Sequence, residues 1–289
     1  MPNHIEPVRD AVRYLTRLGA ACCGDSLSLL EQLPDDSVNL FMTSPPLLRQ
    51  ADKDFKQREY VDWLAKFGRL VRRKLRDDGS FVLDLGGGYR RDVPVRSLYQ
   101  FRVPLWFCDE LGFFLAQEFY WNNPSKLGPA EWVSKRKIRA RDSVNAVWWF
   151  SKTEWPKANR PGVQPSNLLS VANSESNRLY WRGCKDVGRR AHPARFPAKL
   201  PEHFIKLLTD PHDLVVDIFS GSNVTGQVAE QLGRRWLSFE LQRQYVATSV
   251  FRFMPDRCSG DDLRRAYAQV LTGESPYVAD LWTPRSSSR

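Results

Sequence analysis

Short apolar runs alternate with amphipathic segments along most of the chain. The runs end in small or acidic residues, which is typical of strands buried on both faces. The strands predicted in this way are 18–23, 38–42, 80–85, 119–121, 144–150, 214–218 and 236–240. Apolar residues near helical spacing predict helices at 26–33, with Ser26 as its N-cap, and at 60–75, 101–115, 202–208 and 224–232. This alternation indicates an α/β fold with an open, doubly wound, mostly parallel sheet.

Three segments lack this periodicity. Residues 1–17 are polar and are expected to form an arm, and residues 47–58 are charged and are expected to form a mobile loop. Between residues 152 and 190 the apolar period disappears, while proline, asparagine, serine and glycine become frequent. We expect this segment to be a small recognition lobe inserted into one α/β domain.

Residues 214–226 have the pattern of a strand, a glycine turn and a helix. The strand carries Asp217 and ends in the small-residue turn 219–223, and Gly233 closes the helix that follows. This geometry directs backbone N–H groups at a ligand lying across the strand ends. Glu240 ends the next predicted strand, close to the ~20-residue spacing at which a carboxylate bonds ribose hydroxyls. On these residues alone, an ordinary βα corner explains the pattern equally well.

The composition favours a polyanionic partner. The 289 residues include 43 Lys and Arg against 33 Asp and Glu, which gives a net charge of +10. No apolar run approaches the ~20 residues that span a membrane, and there is no signal-peptide pattern, so we expect a cytoplasmic protein. The cysteines are odd in number and form no CxxC pair, which predicts reduced thiols and no metal site: Cys22, Cys23, Cys108, Cys184 and Cys258.

The predicted strand 38–42 leads into Thr43, Ser44, Pro45 and Pro46. Two prolines remove two N–H donors and fix two φ angles, so rigid carbonyl groups stand next to the Ser44 hydroxyl. Such a site accepts hydrogen bonds from an amino group. Drawing a base's exocyclic amine toward tetrahedral geometry would free its lone pair to attack an adjacent sulfonium methyl group. A proline-rich strand exit without chemistry is the alternative.

Together these motifs resemble the β-class amino-DNA methyltransferases, and most closely the cytosine-N4 members. The resemblance extends over almost the whole chain, through residues 44–46, 60–63, 135–139, 147–156, 173–177, 191–201 and 214–226. It implies S-adenosylmethionine as methyl donor, double-stranded DNA as substrate, and a permuted order in which the catalytic strand precedes the cofactor strand. Residues 1–156 and 191–289 would then form the methyltransferase domain, and residues 157–190 the target-recognition region.

The resemblance also implies a set of cofactor-binding residues. The methionine part is expected at Phe219, Ser220, Gly221 and Ser222, and Asp217 and Asn223 on either side of them are further cofactor-binding candidates. Glu240 would bind the ribose, and Asp25, at the end of the first predicted strand, would meet the adenine. The segment 192–201 would supply a further cofactor-binding part, with His192, Phe196, Pro197 and Lys199.

For catalysis, the resemblance implies that Ser44, Pro45 and Pro46 hold the target amine. Asp84, at the end of the predicted strand 80–85, is a candidate for receiving the released proton; a turn-capping carboxylate is the alternative. Related enzymes mostly have an aromatic residue after Ser-Pro-Pro, where it stacks on the flipped base, whereas this chain has Leu47. Losing that stacking costs ~1–3 kcal/mol, unless Phe55 or Tyr60 substitutes for it.

Two groups of basic residues are candidates for DNA contacts, although each one singly could be a solvated surface charge. They are Lys135, Arg136, Lys137, Arg139 and Arg141 in the first group, and Arg178, Arg182, Lys185, Arg189 and Arg190 in the second. Contacts from such residues to phosphates would supply most of the affinity, and base contacts from residues 157–190 the specificity. The region between Trp155 and Asn173 is shorter than in the cytosine-N4 methyltransferase that this chain most resembles, so the DNA sequence recognised by that enzyme is not assigned to this chain.

The predicted function is cytosine-N4 methylation at a specific DNA site by base flipping, as in restriction-modification systems. A cognate restriction endonuclease sharing the site, without direct contact, is a possible partner, and a monomer or weak dimer is expected. An adenine-N6 methyltransferase is the first alternative, but its amine-holding motif usually begins with Asp or Asn, whereas this chain has Ser44. The second alternative is a cofactor-binding DNA-binding protein with weakened catalysis, which the presence of Leu47 would allow.

Overall fold

The computed structural model describes residues 2–46, 54–90, 93–125, 131–159 and 161–281. Within these residues, nine strands form one mixed sheet in the order β1-β2-β9-β8-β3-β4-β6-β5-β7. The strands are β1 (Val12–Leu15), β2 (Gly19–Cys23), β3 (Val38–Thr43), β4 (Leu75–Leu85), β5 (Phe114–Asn122), β6 (Val144–Ser151), β7 (Leu168–Ser170), β8 (Leu214–Asp217) and β9 (Arg235–Glu240). The five central strands β2, β9, β8, β3 and β4 are parallel, whereas β1 and β6 run antiparallel to their neighbours.

Helices cover both faces of the sheet. They are α1 (Ser26–Gln32), α2 (Asp54–Lys74), α3 (Tyr99–Asp109), α4 (Arg178–Asp186), α5 (Lys199–Leu208), α6 (Val224–Gln231), α7 (Arg243–Ser249) and α8 (Gly260–Thr272). Two hydrophobic cores follow from this arrangement: α1, α2 and α3 pack on one face, and α4 to α8 pack on the other. The side chains of β8 alternate between the two cores, with Val215 in one and Val216 in the other. The predicted doubly wound α/β fold is confirmed.

The order of the strands determines where a ligand can bind. From β8 the chain crosses to β9 on one side, whereas from β3 it crosses to β4 on the other side. The strand order therefore reverses between β8 and β3, and in open α/β sheets ligands bind in the crevice outside the carboxyl ends of the strands at such a point. The glycine turn after β8 and the Ser-Pro-Pro segment after β3 both lie at this crevice.

The prediction of an N-terminal arm was wrong. Residues 12–15 form β1, which pairs with β2 at the edge of the sheet, and Ile5 and Val8 are fully buried. Polar neighbours separate these apolar residues, so no continuous pattern marked them. The region from 157 to 190 also joins the main body, because β7 pairs with β5 and Tyr180 and Cys184 of α4 are buried in one of the two cores.

Three local predictions also need correction. Asp25, and not Ser26, is the N-cap of α1: its carboxylate accepts a hydrogen bond from Ser28 N at 3.1 Å. The helix predicted at 101–115 ends at Asp109, and Gly112, with φ +70°, turns the chain into β5. Residues 54–58 belong to α2 and not to a loop, while the rest of that predicted loop, residues 47–53, lies outside the described residues. In the described part of the chain, no helix is long and apolar enough to cross a membrane.

Gly19→Ala is expected to destabilise the fold. A Cβ at Gly19 would lie 2.3 Å from the backbone oxygen of Trp236, which the paired strand β9 cannot move without losing its register. Overpacking of this kind costs roughly 1–3 kcal/mol in the free energy of unfolding, measurable by urea denaturation. Gly260→Ala is the control, because the nearest atom to its Cβ belongs to the flexible Arg264 guanidinium at 3.4 Å. Equal stability of the two variants would contradict the packing argument.

Candidate active site

Asp217, the last residue of β8, links the two strands that flank the crevice. Its Oδ1 accepts a hydrogen bond from Thr43 Oγ1 at 2.6 Å and another from Phe219 N at 3.1 Å. Its Oδ2 accepts one from Thr225 Oγ1 at 2.7 Å. The carboxylate is only 2% exposed, and this burial raises its pKa to about 6 despite the three donors. The Asp217 side chain therefore joins the end of β3, the glycine turn and α6, and its contacts are all internal.

Backbone hydrogen bonds hold the glycine turn, one of them to β9 and another within the turn. Ser220 N donates to Phe239 O at 3.0 Å, and Asn223 N donates to Ser220 O at 2.7 Å. Asn223 adopts φ +58°, caps α6 through its side chain, and donates to Tyr14 OH at 2.9 Å. Asn223, which is 1% exposed, thus shapes the turn from inside the protein.

Glu240 lies at the end of β9, against the same turn. Its carboxylate accepts hydrogen bonds from Gly221 N at 3.0 Å and Gln242 N at 2.7 Å, and burial raises its pKa. In the pairing of β2 with β9, Cys23 lies opposite Glu240, so the exposed Asp25 follows two residues further at the same edge. The residues predicted to meet ribose and adenine are therefore close together in the fold. A carboxylate next to the strand ends and a glycine turn with internally held backbone fit a nucleoside-containing cofactor.

Sequence reasoning missed Arg252, which supports the turn from behind. It is 5% exposed, and its Nε and Nη2 donate to Ser222 O at 2.6 Å and Ser222 Oγ at 2.9 Å. Nη2 also donates to Asn177 Oδ1 at 2.7 Å, which joins the turn to the segment before α4. Burial lowers the pKa of Arg252 to about 10. A single arginine inside the apolar run 250–254 was the available signal, because a buried arginine requires partners.

The predicted segment 192–201 reaches the turn through His192. The imidazole lies over Gly221, where a Cβ would stand 2.9 Å from the ring, and it packs edge-on to Tyr245. Phe196 and Pro197 are buried at the start of α5. Lys199 is exposed, and its ammonium lies 3.9 Å from the Glu175 carboxylate.

The two predicted catalytic segments lie side by side at the ends of β3 and β4. Ser44 Oγ donates to the backbone oxygen of Asp84 at 3.1 Å, and the Asp84 side chain is 5% exposed. Pro45 is buried, whereas Pro46 is exposed and its carbonyl accepts a hydrogen bond from Tyr60 OH at 3.0 Å. The Ser44 hydroxyl therefore lies against the backbone of Asp84, and the preceding Thr43 bonds to Asp217 next to the glycine turn. Leu47 lies outside the described residues.

The first basic group lies at the same edge of the sheet as Asp84. It precedes β6, which is antiparallel to β4 with Val147 opposite Asp84, so the chain enters β6 where β4 ends. Arg139 lies over the Tyr89 ring at 3.2 Å, and Arg136 bonds to Glu131 at 2.8 Å. Lys135, Lys137 and Arg141 are exposed.

The second basic group is attached to another part of the fold. Arg182, on α4, donates to the backbone oxygens of Asp256 at 2.9 Å and Cys258 at 2.6 Å, so its guanidinium supports the packing of α4. Arg189 is exposed just after α4. Among the described residues, no group of three or more His, Cys, Asp or Glu side chains is placed to hold a metal ion.

Fold and site together define a class: a doubly wound α/β protein with a glycine turn beside a Ser-Pro-Pro segment, at the point where the strand order reverses. Comparison with known proteins agrees, because the DNA methylase model for N6 and N4 methyltransferases matches residues 38–251. The chain belongs to this family of DNA methylases.

Individual relatives support the assignment. The chain is 50% identical to the type II methyltransferase M.PvuII of Proteus hauseri, over 91% of each protein, and 27% identical to M.ScaI of Streptomyces caespitosus, over 79% of each. The solved PvuII DNA methyltransferase, described as cytosine-N4-specific, superimposes with a TM-score of 0.89 at 54% identity, covering 93% of this chain and 98% of that one. The M1.HpyAVI–SAM complex shares the fold, with a TM-score of 0.57 at 20% identity, over 82% of this chain and 99% of the other.

Asp217→Asn is expected to change how stability depends on pH. The folded-state pKa of about 6 lies above the ordinary value of 3.8, so the folded protein binds the extra proton between these values. The stability that this proton contributes is present below about pH 4 and is lost as the pH rises through about 6. Relative to the variant, the free energy of unfolding of the wild type should therefore fall by on the order of 1–3 kcal/mol between pH 4.5 and 7, with no further fall above pH 7. The free energy of unfolding of both proteins is measured by urea denaturation at several pH values. If it depends on pH in the same way for the wild type and for Asp217→Asn, the raised pKa is contradicted.

Proposed function

We propose that this chain transfers a methyl group from S-adenosylmethionine to the N4 amino group of cytosine in double-stranded DNA. The observation that carries the proposal is the placement of Ser44 beside Asp84, joined through Thr43 and Asp217 to the glycine turn. A nucleoside site and an amine-accepting site thus share one crevice. Transfer of a methyl group between two bound molecules requires that arrangement.

Each group of cofactor-binding residues would contact a different part of the methyl donor. The turn 219–222 would hold the methionine part, Glu240 the ribose hydroxyls and Asp25 the adenine, with His192 covering the turn. When bound, S-adenosylmethionine supplies an electrophilic methyl group on sulfonium sulfur. The internal contacts of Asp217, Ser222 and Asn223 keep the turn in shape for it.

The target cytosine must leave the helix to reach this crevice, because its amino group is paired inside the duplex. Ser44 Oγ and the Pro45 carbonyl would accept the two amine hydrogens and draw the nitrogen toward tetrahedral geometry. Its lone pair would attack the methyl carbon as the bond from that carbon to sulfur breaks, so that S-adenosylhomocysteine leaves as a neutral thioether. The Asp84 carboxylate would receive the proton that leaves the nitrogen. Ser44 at the head of the motif supports cytosine, whereas adenine-N6 transfer is the competing outcome of the test.

DNA would lie along the edge of the sheet where β4 ends and β6 begins. The group of Lys135, Lys137 and Arg141 offers exposed charges there for phosphates, while Arg182 is engaged in packing and is the weaker candidate. The region 157–190 would supply base contacts. The proposal includes action as a monomer or weak dimer at the bacterial nucleoid. It also includes a cognate restriction endonuclease that shares the recognition site without direct contact to this protein.

The test is incubation of the purified protein with methyl-labelled S-adenosylmethionine and genomic DNA, followed by mass spectrometry of the nucleosides. We expect labelled N4-methylcytosine. Labelled N6-methyladenine would contradict the target base, and absence of label in DNA would contradict the activity. Sequencing of modified bases in DNA from cells expressing the protein then gives the recognition site.

Glu240→Ala is expected to weaken binding of S-adenosylmethionine much more than binding of DNA. The ribose hydroxyls would lose a charge-assisted acceptor, and such hydrogen bonds contribute roughly 1.5–3 kcal/mol. Calorimetric titration measures this as an increase of Kd of about 10- to 150-fold. Glu274→Ala, which removes an exposed carboxylate after α8, is the control with unchanged affinity. An unchanged cofactor Kd for Glu240→Ala would remove the ribose assignment.

Ser44→Ala is expected to reduce kcat while binding of cofactor and DNA survives. The interaction with the amine strengthens as the nitrogen becomes tetrahedral. Its loss therefore raises the activation barrier for methyl transfer and leaves the affinities for cofactor and DNA nearly unchanged. A decrease of roughly 10- to 100-fold corresponds to one lost hydrogen bond at a reacting atom. Ser37→Ala, just before β3 at the opposite end of that strand, should leave kcat unchanged. The assignment fails if Ser44→Ala turns over at the wild-type rate.

A further inference from the structure

Four aromatic rings connect the cofactor turn with both catalytic segments. Phe219 stacks on Trp63 with ring centroids 5.6 Å apart, Trp63 lies 5.6 Å from Tyr60, and Tyr60 lies 5.1 Å from Tyr99. We call these four rings the aromatic column. Trp63 and Tyr60 belong to α2 and Tyr99 begins α3, so the packing of these two helices holds the column in place.

Both tyrosine hydroxyls of the column donate to a backbone carbonyl at the site. Tyr60 OH donates to Pro46 O at 3.0 Å, and Tyr99 OH donates to Gly86 O. Tyr60 is 7% exposed and Tyr99 is fully buried. Burial raises the pKa of both phenols, so both remain protonated donors at neutral pH.

Of the backbone torsions of the two prolines, only the ψ angle of Pro46 is left without a local restriction. The ring of each proline fixes its φ angle, and Pro45 is restricted further because another proline follows it. The ψ angle of Pro46 has no such restriction, since Leu47 follows, and Pro46 is exposed. The hydrogen bond from Tyr60 constrains this remaining angle from the protein side.

We propose that Tyr60 is a positioning residue for methyl transfer. Its hydroxyl anchors the Pro46 carbonyl, and because the prolines make the segment rigid, this anchor also fixes where the Pro45 carbonyl and Ser44 lie relative to α2. Tyr99 holds Gly86 on the Asp84 side. The inference rests on the proposed function. It also replaces the hypothesis that Tyr60 stacks on the flipped base, because the Tyr60 ring is buried between Trp63 and Tyr99.

The experiment compares Tyr60→Phe with the wild type. The substitution keeps the ring and removes only the hydroxyl, so the thermal midpoint is expected to stay within a few degrees. We expect kcat for DNA methylation to fall about tenfold, with the Kd of S-adenosylmethionine and the KM for DNA changed less than twofold. In a Ser44→Ala background the same substitution should have a much smaller effect, because both residues act on one amine-holding segment.

The matched control is Tyr267→Phe. Tyr267 lies on α8 and is 8% exposed, and its hydroxyl has no hydrogen-bond partner among the described residues, so this variant should keep the wild-type kcat. If Tyr60→Phe does not fold cleanly, Tyr99→Phe tests the same arrangement from the Gly86 side, with the same expected fall in kcat.

Two results would overturn the inference. Unchanged kcat in the folded tyrosine variants would do so while the proposed function stands, and so would a loss that is fully additive with Ser44→Ala. An inactive wild type would instead overturn the proposed function, and the inference with it.

Discussion

The hydrogen bonds of Asp217 are the interaction on which the rest of the site depends. The strands β8 and β3 are far apart in the chain, but they are neighbours in the sheet, and Asp217 bonds to Thr43 at the end of β3. The same carboxylate orients Phe219 N and Thr225. A shift of this one residue would separate the glycine turn from the Ser-Pro-Pro segment. Burying it is costly, as its raised pKa shows, and this cost is offset by three donors that the fold supplies.

Around this centre, the backbone is supported from several directions. Arg252 bonds to Ser222 from behind the turn, Tyr14 bonds to Asn223 from below, and Tyr60 bonds to Pro46 from α2. Each of these side chains is largely buried and belongs to a different element of the fold. Pre-organised backbone dipoles lower a reaction barrier because they need no reorganisation when charge develops. The network therefore holds the turn and the Ser-Pro-Pro segment in fixed positions, as the proposed methyl transfer requires.

The motifs near the crevice were predictable because each has a local cause. Residues 214–226 combine a β-branched strand, a small-residue turn and an amphipathic helix, and the structure has β8, the turn and α6 at these positions. The pairing of Ser44 with Asp84 could also be expected, because both end buried strands and parallel strands end at one edge. In contrast, nothing local distinguished the second basic group from the first. Arg182 binds carbonyls of residues 256 and 258, a contact invisible in its own neighbourhood.

The sequence by itself determined the alternation of strands and helices, the family and the position of the rigid Ser-Pro-Pro segment after a buried strand, since these depend on residue types at short spacing. Only the tertiary structure decided that residues 12–15 form an edge strand, that Asp217 bonds inward, and that Tyr60 supports a carbonyl. The physical reason is the same in each case. Burial and hydrogen-bond partners belong to other elements of the fold, some near and some distant in the chain, so their effect exists only once folding has brought these elements together.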